Sequence, residues 1–193
     1  MGLPMVIKKT SDGERAYDIH SMLLEERIVM LTGGVDDHSS ESICAQLLHL
    51  DTVSSDDISF YINSPGGVVT SGLAIYDTMN LIQSDVATYC IGQCASMGAH
   101  LLSNGEKGKR FILPSARVMI HQPLGGAQGQ ASDIEIQAAE IIKLKKSLAQ
   151  QMADNCDKPL KTILKDIDRD FFLGAEEAKK YGIVDHIINK IPR

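Results

Sequence analysis

No run of lysine or arginine occurs in this sequence, and its 19 basic residues are outnumbered by 25 acidic ones, for a net charge of −6. A groove that neutralises a phosphate backbone needs a clustered basic face, so nucleic-acid binding is excluded. No apolar stretch approaches the length of a bilayer span, and the Met1–Gly13 segment lacks the apolar centre of a secretory signal. A cytoplasmic protein without membrane contact is expected. Cysteine is scarce as well: Cys44, Cys90, Cys94 and Cys156 are scattered, with no C-x-x-C pair. That spacing argues against a disulfide framework and for free cytosolic thiols. Cys90 and Cys94 can join His100 around a metal only if a strand and a tight turn converge on one point, so no metal site is expected.

What is present is the composition of a soluble globular protein, 44% apolar and 23% charged, in a length that suits one domain over residues 1–193. Met1 to Asp12 shows no clear period and reads as a flexible arm. Ala16 to Leu24 reads as a short helix, and Arg27 to Leu31 as a strand ended by Gly33-Gly34. Helix-start chemistry over Asp36–Glu41 precedes Ile43, Leu47 and Leu50 at helical spacing. A strand over Ile58–Ile62 closes in the turn Asn63-Ser64-Pro65-Gly66-Gly67, and a helix follows with Ile75, Met79 and Ile82 on one face. The pattern then repeats: a strand over 86–91, a turn at Ser96, a helix, and strands at 111–113 and 118–120. Such alternation argues for parallel βαβ units, whose ligands sit outside the carboxyl ends of the strands. Beyond a Gly- and Gln-rich segment, 125–131, the capping box Ser132–Glu135 opens a helix of about twenty residues ending near Asp154. Pro159 begins a further helix to about Asp166. The stretch 175–181 is helical, with Gly182 as its stop, and 183–188 forms a last strand.

The chemistry centres on Gly92-Gln93-Cys94-Ala95-Ser96-Met97-Gly98-Ala99. A serine flanked by small residues at a strand-to-helix junction exposes its hydroxyl beside free backbone N–H groups, which stabilise an oxyanion. The same small residues also let a helix pack closely on a sheet. A serine nucleophile needs a base. His121, at the end of an apolar strand before Gln122-Pro123, is favoured, with His100, four residues beyond Ser96, as the rival. For the orienting acid, Asp166, Asp168 and Asp170 cluster before Phe171-Phe172, and Asp170 is best placed for burial by that aromatic pair. The Gly66-Gly67 turn offers a second oxyanion donor.

Gly13–Ile19, Tyr61–Gly67, Ala74–Met79, Ala95–Ala99, Arg117–Gln130 and Asp168–Phe172 together resemble the ClpP family of proteolytic subunits, in order and with its spacing over nearly the whole chain. The resemblance implies an α/β, ClpP/crotonase-like fold of repeated ββα units with a protruding strand-plus-helix handle at about 123–154. It implies Ser96 as nucleophile, His121 as general base and Asp170 as the residue orienting the imidazole, with Gly67 and Met97 donating to the oxyanion. Asp168 and Arg169 match the pair that links ring contact to triad geometry. It further implies two stacked seven-membered rings, a Clp-type ATPase that delivers unfolded polypeptides, an N-terminal arm (1–16) lining the entry pore, and no cofactor. Ser59 and Leu81 replace aromatic residues that often line the ATPase-docking pockets, which suggests mixed rings with a second ClpP. Cys94 and His100 replace residues that are commonly small or apolar around the nucleophile, which either reshapes the pocket or adds a thiol that oxidants or electrophiles reach. The rival readings are a poorly active ring subunit and a crotonase-type acyl-CoA enzyme. An α/β-hydrolase is disfavoured because Cys94 breaks G-x-S-x-G.

Overall fold

A computed structural model describes residues 4–10 and 13–190. An antiparallel hairpin comes first, β1 (Met5–Thr10) against β2 (Gly13–Asp18). The expected flexible arm is therefore paired strand from Met5 to Thr10; Met1–Leu3, Ser11 and Asp12 lie outside the described residues. The pairing also delays the first helix. Asp18 ends β2 and accepts from the N–H groups of His20 and Ser21 at 3.0 Å, so α1 runs Ile19–Glu25 rather than from Ala16.

The main sheet has the order β3 (Ile28–Thr32), β4 (Ile58–Ser64), β5 (Val86–Ala95), β6 (Arg110–Ile112) and β9 (His186–Ile187), every neighbour parallel. Helices α2 (Asp37–Val53), α3 (Val69–Leu81) and α4 (Met97–Ser103) make the connections. Ile43, Leu47 and Leu50 of α2 and Ile75 and Met79 of α3 are buried against the sheet, as their spacing predicts. On the other side Tyr61, Tyr89 and Phe111 stack across β4, β5 and β6, with centroids 4.4 and 4.8 Å apart.

Strand β5 runs past the expected 86–91 to Ala95 because it changes partners. Its first half pairs β6, and Gln93–Ala95 pair β7 (Arg117–Ile120). Between the halves the register slips. Cys90 faces Ile62 and Cys94 faces Ser64, so a step of four on β5 spans two on β4. Gly92, at φ 71°, turns the extra residues outward over Asn63, whose Oδ1 accepts from Gln93 N–H at 3.3 Å. β7 in turn pairs antiparallel with β8 (Phe171–Gly174), a strand the pattern did not predict.

The long helix α5 (Ala131–Asn155) has 25 residues, and Ser132 lies inside it. The expected capping box is not formed; Gln130 is the N-cap and provides no side-chain bond. Residues 131–140 are exposed on every side, including Ile134 and Ile136, and only the second half buries Ala149, Met152 and Ala153. α6 (Leu160–Asp166) follows Pro159, and α7 (Ala175–Tyr181) ends at Gly182 in the left-handed region. The predicted last strand contracts to His186–Ile187.

Candidate active site

Ser96 stands between the last residue of β5 and the first of α4, at φ 54° and ψ −120°. For a non-glycine residue this backbone is strained, on the order of 1–3 kcal/mol. It is held by Ser96 N–H donating to Met119 O at 2.8 Å and His100 N–H donating to Ser96 O at 3.1 Å. The strain turns the hydroxyl out at the sheet's carboxyl edge, where His121 leaves β7. His121 Nε2 lies 2.9 Å from Ser96 Oγ, and its Nδ1 lies 2.9 Å from Asp170 Oδ1. A carboxylate only accepts, so Nδ1 carries the proton and Nε2 is left to accept from the serine.

Two backbone donors border the hydroxyl. Met97 N–H is the first of α4, and such groups have no intrahelical acceptor. Neither it nor Gly67 N–H has a partner among the described residues. Gly66, buried at φ 88°, brings the second turn against the first: a Cβ there would stand 2.6 Å from Ser96 Cβ and 2.9 Å from Met97 N. A Cβ at Gly67 would collide with Val35 O, so this turn fits only as glycine twice over. The Gly66-Gly67 pair signalled a turn in the sequence, but not how closely its backbone approaches the serine.

The other expected residues are placed as follows. Asp170 keeps 60% of its side chain exposed, so the predicted burial by Phe171-Phe172 does not occur in this chain. Strand alternation sends Phe171 inward against Tyr181 and Phe172 outward, under Arg117, and neither covers the carboxylate. Asp168 and Arg169 are exposed; Arg169 Nη1 donates to Asp168 O at 3.3 Å, and no ion pair joins them. Gln122, which the sequence reading passed over, ties this loop down. Its Nε2 donates to Asp168 O at 2.8 Å, its backbone N–H to Ile167 O, and its Oε1 accepts from Lys145 of α5 at 2.8 Å. His100 is not bonded to the serine; its Nε2 is bonded to Gln151 at 2.9 Å and its ring lies 5.0 Å from Tyr76. Burial lowers its pKa to about 4 against the opposing effect of the Gln151 bond. Cys94 is fully buried, its thiol 3.4 Å from Ile62 O, and burial pushes its pKa well up. The expectation of an oxidant-accessible thiol is thereby overturned, since such a group is inert. Among the described residues no cluster of His, Cys, Asp or Glu is arranged to hold a metal.

A pocket opens from Ser96 and His121 between α4, α5 and α6, walled by Val69, Ile120, Leu148, Met152 and Ile163. A serine, a base, two unpaired N–H groups and an apolar recess can together carry acyl transfer. The family model for Clp protease matches residues 11–191.

The chain belongs to the Clp protease family.

A ClpP-type protein is a peptidase, and the mixed α/β architecture with a mostly parallel sheet is that of ClpP. Membership also brings, in general terms, oligomeric assembly and an ATPase partner. No helix among the described residues is long and apolar enough to cross a membrane.

Proposed function

We propose that this chain is a serine endopeptidase subunit that cleaves unfolded polypeptides through Ser96, His121 and Asp170. The observation that carries the reading is the hydrogen-bonded chain from Asp170 through His121 to Ser96, both contacts at 2.9 Å. His121 takes the serine proton as Ser96 attacks the peptide carbonyl, then delivers it to the leaving amine. Asp170 holds the ring in the required tautomer and balances the imidazolium. Gly67 and Met97 receive the oxyanion, each donor worth about 3–4 kcal/mol in the transition state. Water then releases the acyl group by the same proton path. The crotonase alternative needs carboxylates as acid and base, and the residues lining the pocket include none.

The assembly we infer is two stacked heptameric rings served by a Clp-type ATPase, in the cytoplasm and without a cofactor. The exposed first half of α5 supports a ring-to-ring handle, since Ile134, Ile136 and Ile142 are 41, 65 and 54% exposed on one chain. Asp168 and Arg169 border the triad loop where such a contact would be sensed. Leu81 is 71% exposed and Ser59 adds little apolar area, which favours mixed rings in which a second ClpP docks the ATPase. Tight binding of a Clp ATPase by the purified chain alone would exclude the mixed ring.

Fluorophosphonate labelling and cleavage of a fluorogenic peptide test the chemistry. Wild type labels and cleaves, Ser96→Ala does neither, and His121→Ala and Asp170→Asn lose roughly 10³–10⁴-fold in kcat. Label that survives in Ser96→Ala overturns the assignment, and turnover of an enoyl-CoA in place of peptide supports the crotonase reading.

A further inference from the structure

Resting on that reading, the pocket beside Ser96 contains one polar side chain that the hydrolytic steps do not use. Apart from Ser96 and His121, the only polar residue lining it among the described residues is His100. Three features make this imidazole a prepared group rather than a stray one. Its Nε2 faces Gln151 Oε1 at 2.9 Å, and an amide oxygen only accepts, so the proton sits on Nε2 and Nδ1 keeps a lone pair. The ring makes no other hydrogen bond among the described residues. Tyr76, 5.0 Å away, holds its plane. The ring is 4% exposed, and burial keeps it neutral at physiological pH, its pKa lowered to about 4.

We propose that His100 is a specificity-determining residue, offering the apolar pocket one hydrogen-bond acceptor through Nδ1. The pocket then selects, on the acyl side of the scissile bond, a side chain with an apolar stem and a neutral donor at its tip. Glutamine is the simplest such residue. Leucine fills the same walls but leaves Nδ1 desolvated and unpaired. Ionised glutamate, nearly the shape of glutamine, sets an acceptor against an acceptor and brings a charge into an apolar recess. Gln151 is a positioning residue, because its bond fixes which nitrogen accepts.

The experiment uses three fluorogenic peptides that differ only in the residue before the cleaved bond: glutamine, leucine or glutamate. The readout is the ratio of kcat/KM values within each enzyme, which cancels differences in folded fraction. Wild type is expected to cleave the glutamine peptide at least as well as the leucine peptide, and the glutamate peptide least. His100→Phe is expected to lower the glutamine-to-leucine ratio about three- to tenfold, the worth of one hydrogen bond. Gln151→Leu keeps the imidazole but frees its tautomer, and lowers the same ratio should His100→Phe not fold. Ratios that match wild type in the variants that fold, with all three rates falling together, make His100 a packing residue and overturn the proposal. A wild type that cleaves none of the peptides and takes no fluorophosphonate label overturns the peptidase reading first, and this inference with it.

Discussion

At the scale of single residues, the site depends on a close approach of two turns. Ser96 is held in a strained backbone from one side by Met119, and Gly66 presses on it from the other. Replacing Gly66 by alanine adds a Cβ within 2.6 Å of Ser96 and forces a side chain into φ 88°. The expected result is loss of peptide cleavage by at least ~10²-fold, because a displaced nucleophile loses its alignment, together with about 1–3 kcal/mol of stability. Kinetics and urea unfolding of Gly66→Ala check both. His100 supplies a second residue-scale prediction. It titrates at about 4 in the fold against an ordinary value of 6.5, so between these values the unfolded chain binds the extra proton. Stability is then intact above about pH 6.5 and falls as pH drops towards 4. His100→Phe should remove on the order of 2 kcal/mol of the decline between pH 7 and pH 5, read from urea midpoints. A decline of equal size in both proteins places the acid sensitivity elsewhere.

At the scale of elements, α5 is two helices in one. Its second half is packed through Ala149, Met152 and Ala153, while residues 131–140 touch little of their own chain. A surface helix with no buried face draws its stability from a partner. Ile136→Glu with Ile142→Glu is expected to leave the monomer's melting curve within about 0.5 kcal/mol of wild type while converting double rings to single rings in sedimentation velocity. A double ring that persists removes the handle assignment. The same helix marks where sequence reading ends. Its existence was legible from Ile141, Leu148 and their spacing, but its start was not. Ser132 and Glu135 spell a capping box, yet the N-cap is Gln130, two residues earlier, and the helix begins without the box. The local signals for β3, β4, α2 and α3 held because core spacing is regular there and, for α2, the Asp36 cap agrees with it. β8 was invisible because four residues, Phe171–Gly174, take their strand character only from pairing with β7. For the site, Ser96 and His121 were legible as strand-end residues. Asp170 was chosen for a burial that strand alternation does not provide, and Gln122 carried no signal, since its three bonds join segments far apart in sequence.

At the scale of the whole molecule, Arg110 draws the far elements together. It is 5% exposed, pairs with Asp185 at 2.6 Å ahead of β9, and donates to Asn155 O at the end of α5 and Ser103 O at the end of α4. Both helices thus end on a cation, as their dipoles favour. Burial works to raise the Asp185 carboxyl, but the hydrogen bonds and charge of Arg110 outweigh it and hold it below the usual carboxylate range. The pair's contribution is therefore present above that range and is lost as pH falls through the lowered value. Asp185→Asn leaves the guanidinium buried without its anion and should cost about 3 kcal/mol at pH 7, measured by urea unfolding. A cost near zero would show that the two helix ends suffice for Arg110. The bulge in β5 has a consequence on this scale too. One strand serves two plates along the edge opposite β4, β6 with β9 against its first half and β7 with β8 against its second, and the register against β4 slips by an even count: four residues set against two. Even offsets conserve facing. Deleting a single residue from 91–93 would make the count odd, turn Cys94 from the core to the surface and rotate the nucleophile's side of the chain with it, whereas removing two would restore the facing. Ser96 is thus aimed by arithmetic parity several residues upstream of itself.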